Sequence, residues 1–248
     1  DKFYEVGQKI FLTYENTIQK TLESYALNDG ILDGSMMQSN WFPQIKADIF
    51  ISHSHKDEKR AIALAGWLYQ TFGIKAFIDS CIWGYSNELL KLIDRVHCYQ
   101  EESNTYDYNL RNHSTSHVHM MLSVALNMMI DNTECIFFLN TPNSISASSV
   151  ISKTESPWIY SEIAMSKMIQ KQLPERKRIK AVENLEKGGV LNESLKFLYN
   201  TDLSHFIEID VKTLNQWKSN FIKSTASNAL DKLCDITEDN TDIKPLFG

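Results

Sequence analysis

The residues able to do chemistry collect in four short stretches. Ser52-His53-Ser54-His55 offers two hydroxyls and two imidazoles in succession. The segment from Asp79 to Tyr85 opens on a carboxylate and holds Trp83, and Asn140 to Asn143 carries amides and a hydroxyl. Trp158 and Glu162 stand four residues apart, a spacing that stacks indole and carboxylate on one face of a helix, near its start. His53-x-His55, His117-x-His119 and Cys98 could be assembled into a zinc site. Without a Cys or carboxylate at ligand spacing, however, such pairs read as polar loop residues or as donors to an anionic ligand, and no metal is expected. Ser52 beside His53 is too little for a nucleophilic triad, and no G-x-S-x-G elbow accompanies it. Neither G-x-G-x-x-G nor G-x-x-x-x-G-K-[ST] follows a strand, which excludes a Rossmann dehydrogenase and a P-loop NTPase.

These stretches need elements to hold them. Asp48-Ile-Phe-Ile-Ser52 reads as a first buried strand. Ser54 then stands as N-cap, with Asp57 three residues on, for a helix burying Ile62, Ala65, Leu68 and Phe72 and closed by Gly73. Ile74 to Asp79 reads as a second strand, followed by a loop from Ser80 to Tyr85 and a helix capped by Ser86. Polar residues 98–116 read as a long insertion loop. A methionine-rich helix with Val118, Met121, Leu122, Ala125 and Met129 on one face leads to a third strand over 134–140. Ser156-Pro157 starts a helix running from Trp158 to about Gln172. Strands are expected over 178–182 and 206–209, a weak helix over 191–198 and a last helix over 213–233. Before all this, Phe3, Val6, Ile10, Tyr14, Ile18, Leu22 and Tyr25 predict one amphipathic helix over 3–27 that needs a partner surface. Short apolar runs alternating with helices predict an α/β fold, and ligands in such a sheet bind at the carboxyl ends of its strands, where all four stretches lie.

Composition sets the bounds. The chain has 248 residues, 43% of them hydrophobic and 23% charged, with only 9 Gly and 5 Pro, the make-up of an ordinary globular protein. A formal net charge of -6 supplies no general field for nucleic acid, and the basic cluster from Lys171 to Lys180 reads as a solvated connection. No apolar stretch of membrane-spanning length occurs, and four cysteines without a C-x-x-C pair read as buried free thiols. The expectations are a cytoplasmic protein with no nucleic-acid and no membrane partner.

Taken in order, Asp48-Ile-Phe-Ile-Ser-His-Ser54, Phe77-Ile-Asp79 with Trp83-Gly84, and Ser156-Pro-Trp-Ile-Tyr-Ser-Glu162 resemble the first motif, the BB loop and the Trp-x-x-x-Glu helix of TIR domains. The resemblance spans about residues 47–235. It implies a flavodoxin-like open five-stranded parallel sheet flanked by helices, with residues 1–46 as an N-terminal helical extension and linker and 236–248 as an acidic tail. It also implies an enzyme that cleaves the nicotinamide–ribose bond of NAD, with NAD as substrate and no further cofactor. Glu162 would be the catalytic residue. Ser52, His53 and Ser54 would contact the nucleotide, Asp79 and Trp83 would border it, and Trp158 would wall the pocket. Nicotinamide departs as a neutral base, so a single carboxylate that stabilises the oxocarbenium-like ribosyl suffices, and the leaving group needs no acid.

A TIR domain with a helical extension and no evident effector domain looks like the Thoeris anti-phage type. Its implied partners are further copies of itself, through TIR surfaces, and a separate effector protein reached by a nucleotide signal. Two alternatives stand beside this reading. One is a non-catalytic adaptor working through TIR-to-TIR association; the other is a nucleoside deoxyribosyltransferase-like enzyme.

Overall fold

A computed structural model describes residues 2–15, 32–145, 153–169, 199–221 and 226–240. In chain order the elements are helices α1 (Lys2–Glu15) and α2 (Gly34–Trp41), strand β1 (Ile49–Ser52), helix α3 (Glu58–Phe72), strand β2 (Ala76–Ile78) and helix α4 (Ser80–Ile93). A two-stranded hairpin, β3 (Tyr99–Gln100) and β4 (Thr105–Tyr106), leads into the long helix α5 (Tyr108–Asp131) and strand β5 (Cys135–Phe138). Strand β6 (Lys153–Thr154), helix α6 (Pro157–Met168), strand β7 (Tyr199–Asn200) and helices α7 (Val211–Asn220) and α8 (Ala226–Asn240) complete the described chain.

The centre is a parallel sheet in the order β2-β1-β5, flanked by helices. β1 is its middle strand, and all four of its residues are buried, as a strand covered on both faces requires. Register pairs Ile51 with Ile78 and Phe137, so the carboxyl ends of the three strands lie side by side. The right-handed crossover rule puts α3 on one face of the sheet and the mutually packed α4 and α5 on the other. The expected buried face of α3 is observed, with Ile62, Ala65, Leu68 and Phe72 inside, and Gly73 closes the helix at φ 73°.

Trp217 of α7 closes the core from the C-terminal side. Its ring is fully buried and stacks on Phe72 at 3.9 Å, and its indole N–H donates to the Ala229 carbonyl at 2.7 Å, locking α8 in place. The core extends beyond the span of the TIR resemblance at both ends. Met37, Trp41 and Phe42 are among its most buried side chains, so 34–42 is core rather than linker. At the other end, Ile236 and Thr237 are buried within α8, and the boundary drawn at 235 therefore falls inside a helix.

Several expectations are corrected. The segment 98–116 is not a loop: after a π turn at Asp94–Cys98 and the hairpin, α5 starts at Tyr108, where Asp107 caps it by accepting from Leu110 N at 2.9 Å. Its first turns are polar because they are exposed, which removes the amphipathic signal. Ser80 to Tyr85 is likewise helical, because the Asp79 carboxylate accepts from Ser80 N at 2.7 Å and caps α4 seven residues before Ser86. Phe206 to Ile209 forms no strand. The last helix is two helices, with Phe221 turning to extended backbone at the end of α7. The described part of the N-terminal helix ends at Glu15, and the expectations for residues 16–27, 170–172, 178–182 and 191–198 fall outside the described residues. Of the cysteines, Cys98 is buried, Cys135 half-buried and Cys234 exposed, all free, so buried thiols were only partly the right expectation. Burial pushes the Cys135 thiol up to about 12.

Candidate functional site

Three elements converge at the carboxyl edge of the sheet. β1 ends on Ser52 and runs into His53; β2 runs into Asp79, the cap of α4; and α6 brings Glu162 from the far side of the sequence. α6 begins as its sequence dictates, with Ser156 Oγ accepting from Ile159 N at 3.3 Å and Pro157 at the first helical position. It is anchored by Ile159 and Ile163, which bury against Ile145, and Glu162 lies beside Ile163 on that inward side.

Ser52 Oγ donates to Glu162 Oε2 at 2.5 Å, across 110 residues of sequence. His53 Nδ1 stands 2.6 Å from Asp79 Oδ1. Both carboxyls are thereby tied to consecutive residues at the end of β1, Glu162 to Ser52 and Asp79 to His53. Ser52, His53, Asp79 and Glu162 are each exposed to 3% or less, so this is an enclosed polar cluster inside an apolar core. Burial, reinforced by the charge of Asp79, raises Glu162 well above the ordinary carboxyl range, against the opposing hydrogen bond from Ser52. Burial pulls the His53 imidazole down, but Asp79 beside it and Glu58 nearby outweigh this and leave it raised.

Besides His53 Nδ1, whose close approach to Asp79 Oδ1 lacks hydrogen-bond geometry, four atoms of the cluster are buried without a hydrogen-bond partner among the described residues: His53 Nε2, Asp79 Oδ2, Ser80 Oγ and Glu162 Oε1. An unmet buried polar atom costs about 1–3 kcal/mol, so four in one place at the ligand edge of a parallel sheet require an explanation. Two acceptor oxygens, a ring nitrogen and a hydroxyl thus leave both hydrogen-bond donors and acceptors unmet at this edge.

The remaining candidates fall around this cluster or away from it. Ser54 takes the N-cap position of a 3-10 turn at His55–Asp57 without a capping bond from its side chain. Trp158 is half-buried and meets His119 edge-on, with ring centroids 5.6 Å apart. Trp83 lies in the first turns of α4, and its side chain is outside the described set. The histidine pairs do not assemble. His55 points to solvent while His53 is buried, and His117 instead meets His113 at 3.4 Å between Nε2 atoms. Among the described residues no three His, Cys, Asp or Glu side chains group to hold a metal ion. A surface concavity lined by Trp41, Glu88, Lys91, Leu92 and Arg95 lies along the later turns of α4, away from the carboxylates at its start.

Sequence reasoning missed a second cluster. Asp57, read only as an acid at a helix start, accepts from Thr141 Oγ1 at 2.5 Å, from Asn143 Nδ2 at 3.1 Å and from Arg60 at 2.6 Å. Burial raises its carboxyl, but these donors overcome that and hold it below the usual range. It ties the turn after β1 to the turn after β5, clamping the loops beside the site. The signal for it was already in view, since Asn140 to Asn143 and the turn after β1 both stand at strand ends.

Compared with known proteins, the chain matches no family model, and neither a curated protein nor a solved structure is significantly similar to it. Among the described residues no helix is long and apolar enough to cross a membrane.

Proposed function

We propose that this chain is a TIR-type enzyme that breaks the nicotinamide–ribose bond of NAD, with Glu162 as its catalytic carboxylate. The observation that carries the reading is the Ser52–Glu162 hydrogen bond with Asp79 beside it, which brings the three resembling motifs to one enclosed point at the strand ends. In the reaction the C1′–N bond breaks heterolytically and its electron pair leaves with neutral nicotinamide. The ionised Glu162 stabilises the ribosyl cation, and water or another hydroxyl adds to C1′, giving its proton to Glu162. Ser52, His53 and Ser54 would bind the nucleotide, Asp79 and Trp83 border it, and Trp158 flank the leaving ring. The five-stranded TIR fold, self-association through its surfaces, a cytoplasmic setting and a product that depletes NAD or signals to an antiviral effector belong to this same reading.

The test is mass spectrometry of NAD incubated with the wild-type protein and with Glu162→Gln, at low and high protein concentration. Nicotinamide release that falls about 100-fold or more in Glu162→Gln, with folding intact, is expected. Release that does not depend on Glu162, or none from folded wild-type protein at any concentration, overturns the reading. One observation favours a second one. Glu162 is enclosed, and burial raises its carboxyl toward the range of a general acid, which a neutral nucleoside needs to release its base, so turnover of deoxynucleosides in place of NAD would move the assignment to a deoxyribosyltransferase-type reaction.

A further inference from the structure

We propose that Asp79 is a positioning residue that holds Glu162 in a shared-proton carboxyl pair, so that the structure shows the site at rest and chemistry begins when that pair is parted. Asp79 is fixed before it meets Glu162. Its Oδ1 accepts from Ser80 N at 2.7 Å and stands 2.6 Å from His53 Nδ1, so the start of α4 and the end of β1 both set the orientation of the carboxyl. Glu162 is fixed in the same way, because Ser52 donates to its Oε2.

What each has left is one oxygen, Asp79 Oδ2 and Glu162 Oε1, both buried and both without a donor among the described residues. Both carboxyls are buried, both are tied to consecutive residues at the end of β1, and each keeps one enclosed oxygen without a donor; walled off together from water they cannot both stay ionised, and one proton held between them satisfies both oxygens. The other groups around the pair do not substitute for that proton. His53 faces Asp79; Glu58 of α3 acts on His53; His119 of α5 meets Trp158; and His205 meets Ser166, one turn further along α6.

The consequence for function rests on the reading of Glu162 as the catalytic carboxylate. In the pair Glu162 is neutral and cannot offset positive charge on a ribosyl centre. A cationic nicotinamide riboside, with hydroxyls that can donate to Asp79, parts the pair as it enters, and the proton the two carboxyls shared is released to solvent, leaving Glu162 ionised. Asp79 thus acts through Glu162 and sets when it ionises.

The experiment is a carboxyl ¹³C NMR titration of the full chain labelled at its Asp and Glu carboxyls, with Glu162→Gln identifying the Glu162 signal. In the wild type Glu162 should titrate well above the other glutamates, a measurement that needs no functional variant. Asp79→Asn should lower its midpoint by about one pH unit or more, and Ser52→Ala should raise it. If Asp79→Asn does not fold, Asp79→Ser, which removes the carboxyl but keeps a helix-capping oxygen, is titrated in its place with the same expected drop. A Glu162 that titrates with the other glutamates, or that keeps its raised midpoint in Asp79→Asn, overturns the proposal.

A second arm follows nicotinamide release from NAD against pH. The acid limb of kcat/KM should follow the Glu162 midpoint and shift with it in Asp79→Asn, making that variant about tenfold more active relative to wild type below the two midpoints than above them. An acid limb that stays put in Asp79→Asn overturns the gating role. Absence of turnover by wild type defeats the NAD reading, whereas the NMR arm judges the pair by itself.

Discussion

Asp57 shows how much a single buried carboxylate can hold. Thr141, Asn143 and Arg60 converge on it; Thr141 is half-buried, whereas Asn143 and Arg60 are exposed enough to find water instead. Asp57→Ala leaves the half-buried Thr141 hydroxyl without its acceptor while the exposed Asn143 amide turns to water, and an expected loss of about 1–2 kcal/mol would appear in urea denaturation. Arg60→Ala should cost less than about 1 kcal/mol, since an ion pair with a solvent-exposed partner contributes little. The sign of the pH effect follows from the lowered carboxyl. Its stabilisation is present above the ordinary value of 3.8 and is lost as pH falls below that through the folded value, so Asp57→Ala should flatten the acid side of the stability profile. At this scale the sequence was informative about place and silent about partners. Ser52, Asp79 and Glu162 were visible because strand ends and a helix start bring candidates to one edge. The pairing of His53 with Asp79, and of Asp57 with residues 84 and 86 positions on, depends on the register of β1 with β2 and β5, which spacing along one chain does not encode.

Elements were legible where burial imposes a period and illegible where it does not. β1, α3 and the latter half of α5 carry apolar repeats because each faces the core; the first turns of α5 and the start of α4 rest on caps, Asp107 and Asp79, placed before polar or mixed residues. The partner surface for α1 was also hidden, since it is made by glycine rather than by an apolar stripe. Gly7 of α1 and Gly66 of α3 let the two helices cross backbone against backbone. A Cβ on Gly66 would fall 1.9 Å from the Phe3 carbonyl oxygen, and one on Gly7 would fall 1.9 Å from that of Ile62. Neither obstacle is a flexible side chain. Gly66→Ala or Gly7→Ala should therefore lift α1 off α3, at a cost of about 2–3 kcal/mol, and trypsin should cut faster at the exposed Lys9. Unchanged cleavage and an unchanged melting temperature would show that α1 does not dock by this crossing.

For the molecule as a whole, the site depends on a core assembled from both ends of the described chain. α2 supplies Met37, Trp41 and Phe42, the sheet supplies Ile49 to Ile51 and Phe77, and α7 and α8 supply Trp217, Leu230, Leu233 and Ile236. Trp217 joins these parts through its stack on Phe72, its edge contact with Trp67 at 6.0 Å and its bond to Ala229. Because Phe72 ends α3 just before β2, loosening Trp217 loosens the strand that delivers Asp79 to the cluster. Trp217→Ala is expected to cost about 3–5 kcal/mol, and Trp217→Phe, which keeps most of the ring but leaves the Ala229 carbonyl without its donor, about 1–2 kcal/mol. Should the core be one cooperative unit, far-UV circular dichroism, tryptophan fluorescence and the raised Glu162 carboxyl signal will be lost at one common midpoint in each variant, lowered in the order wild type, Trp217→Phe, Trp217→Ala. A Glu162 signal that survives after the helical signal of α7 and α8 has melted would instead divide the molecule in two, with the sheet and α6 holding the carboxyl pair without the C-terminal helices.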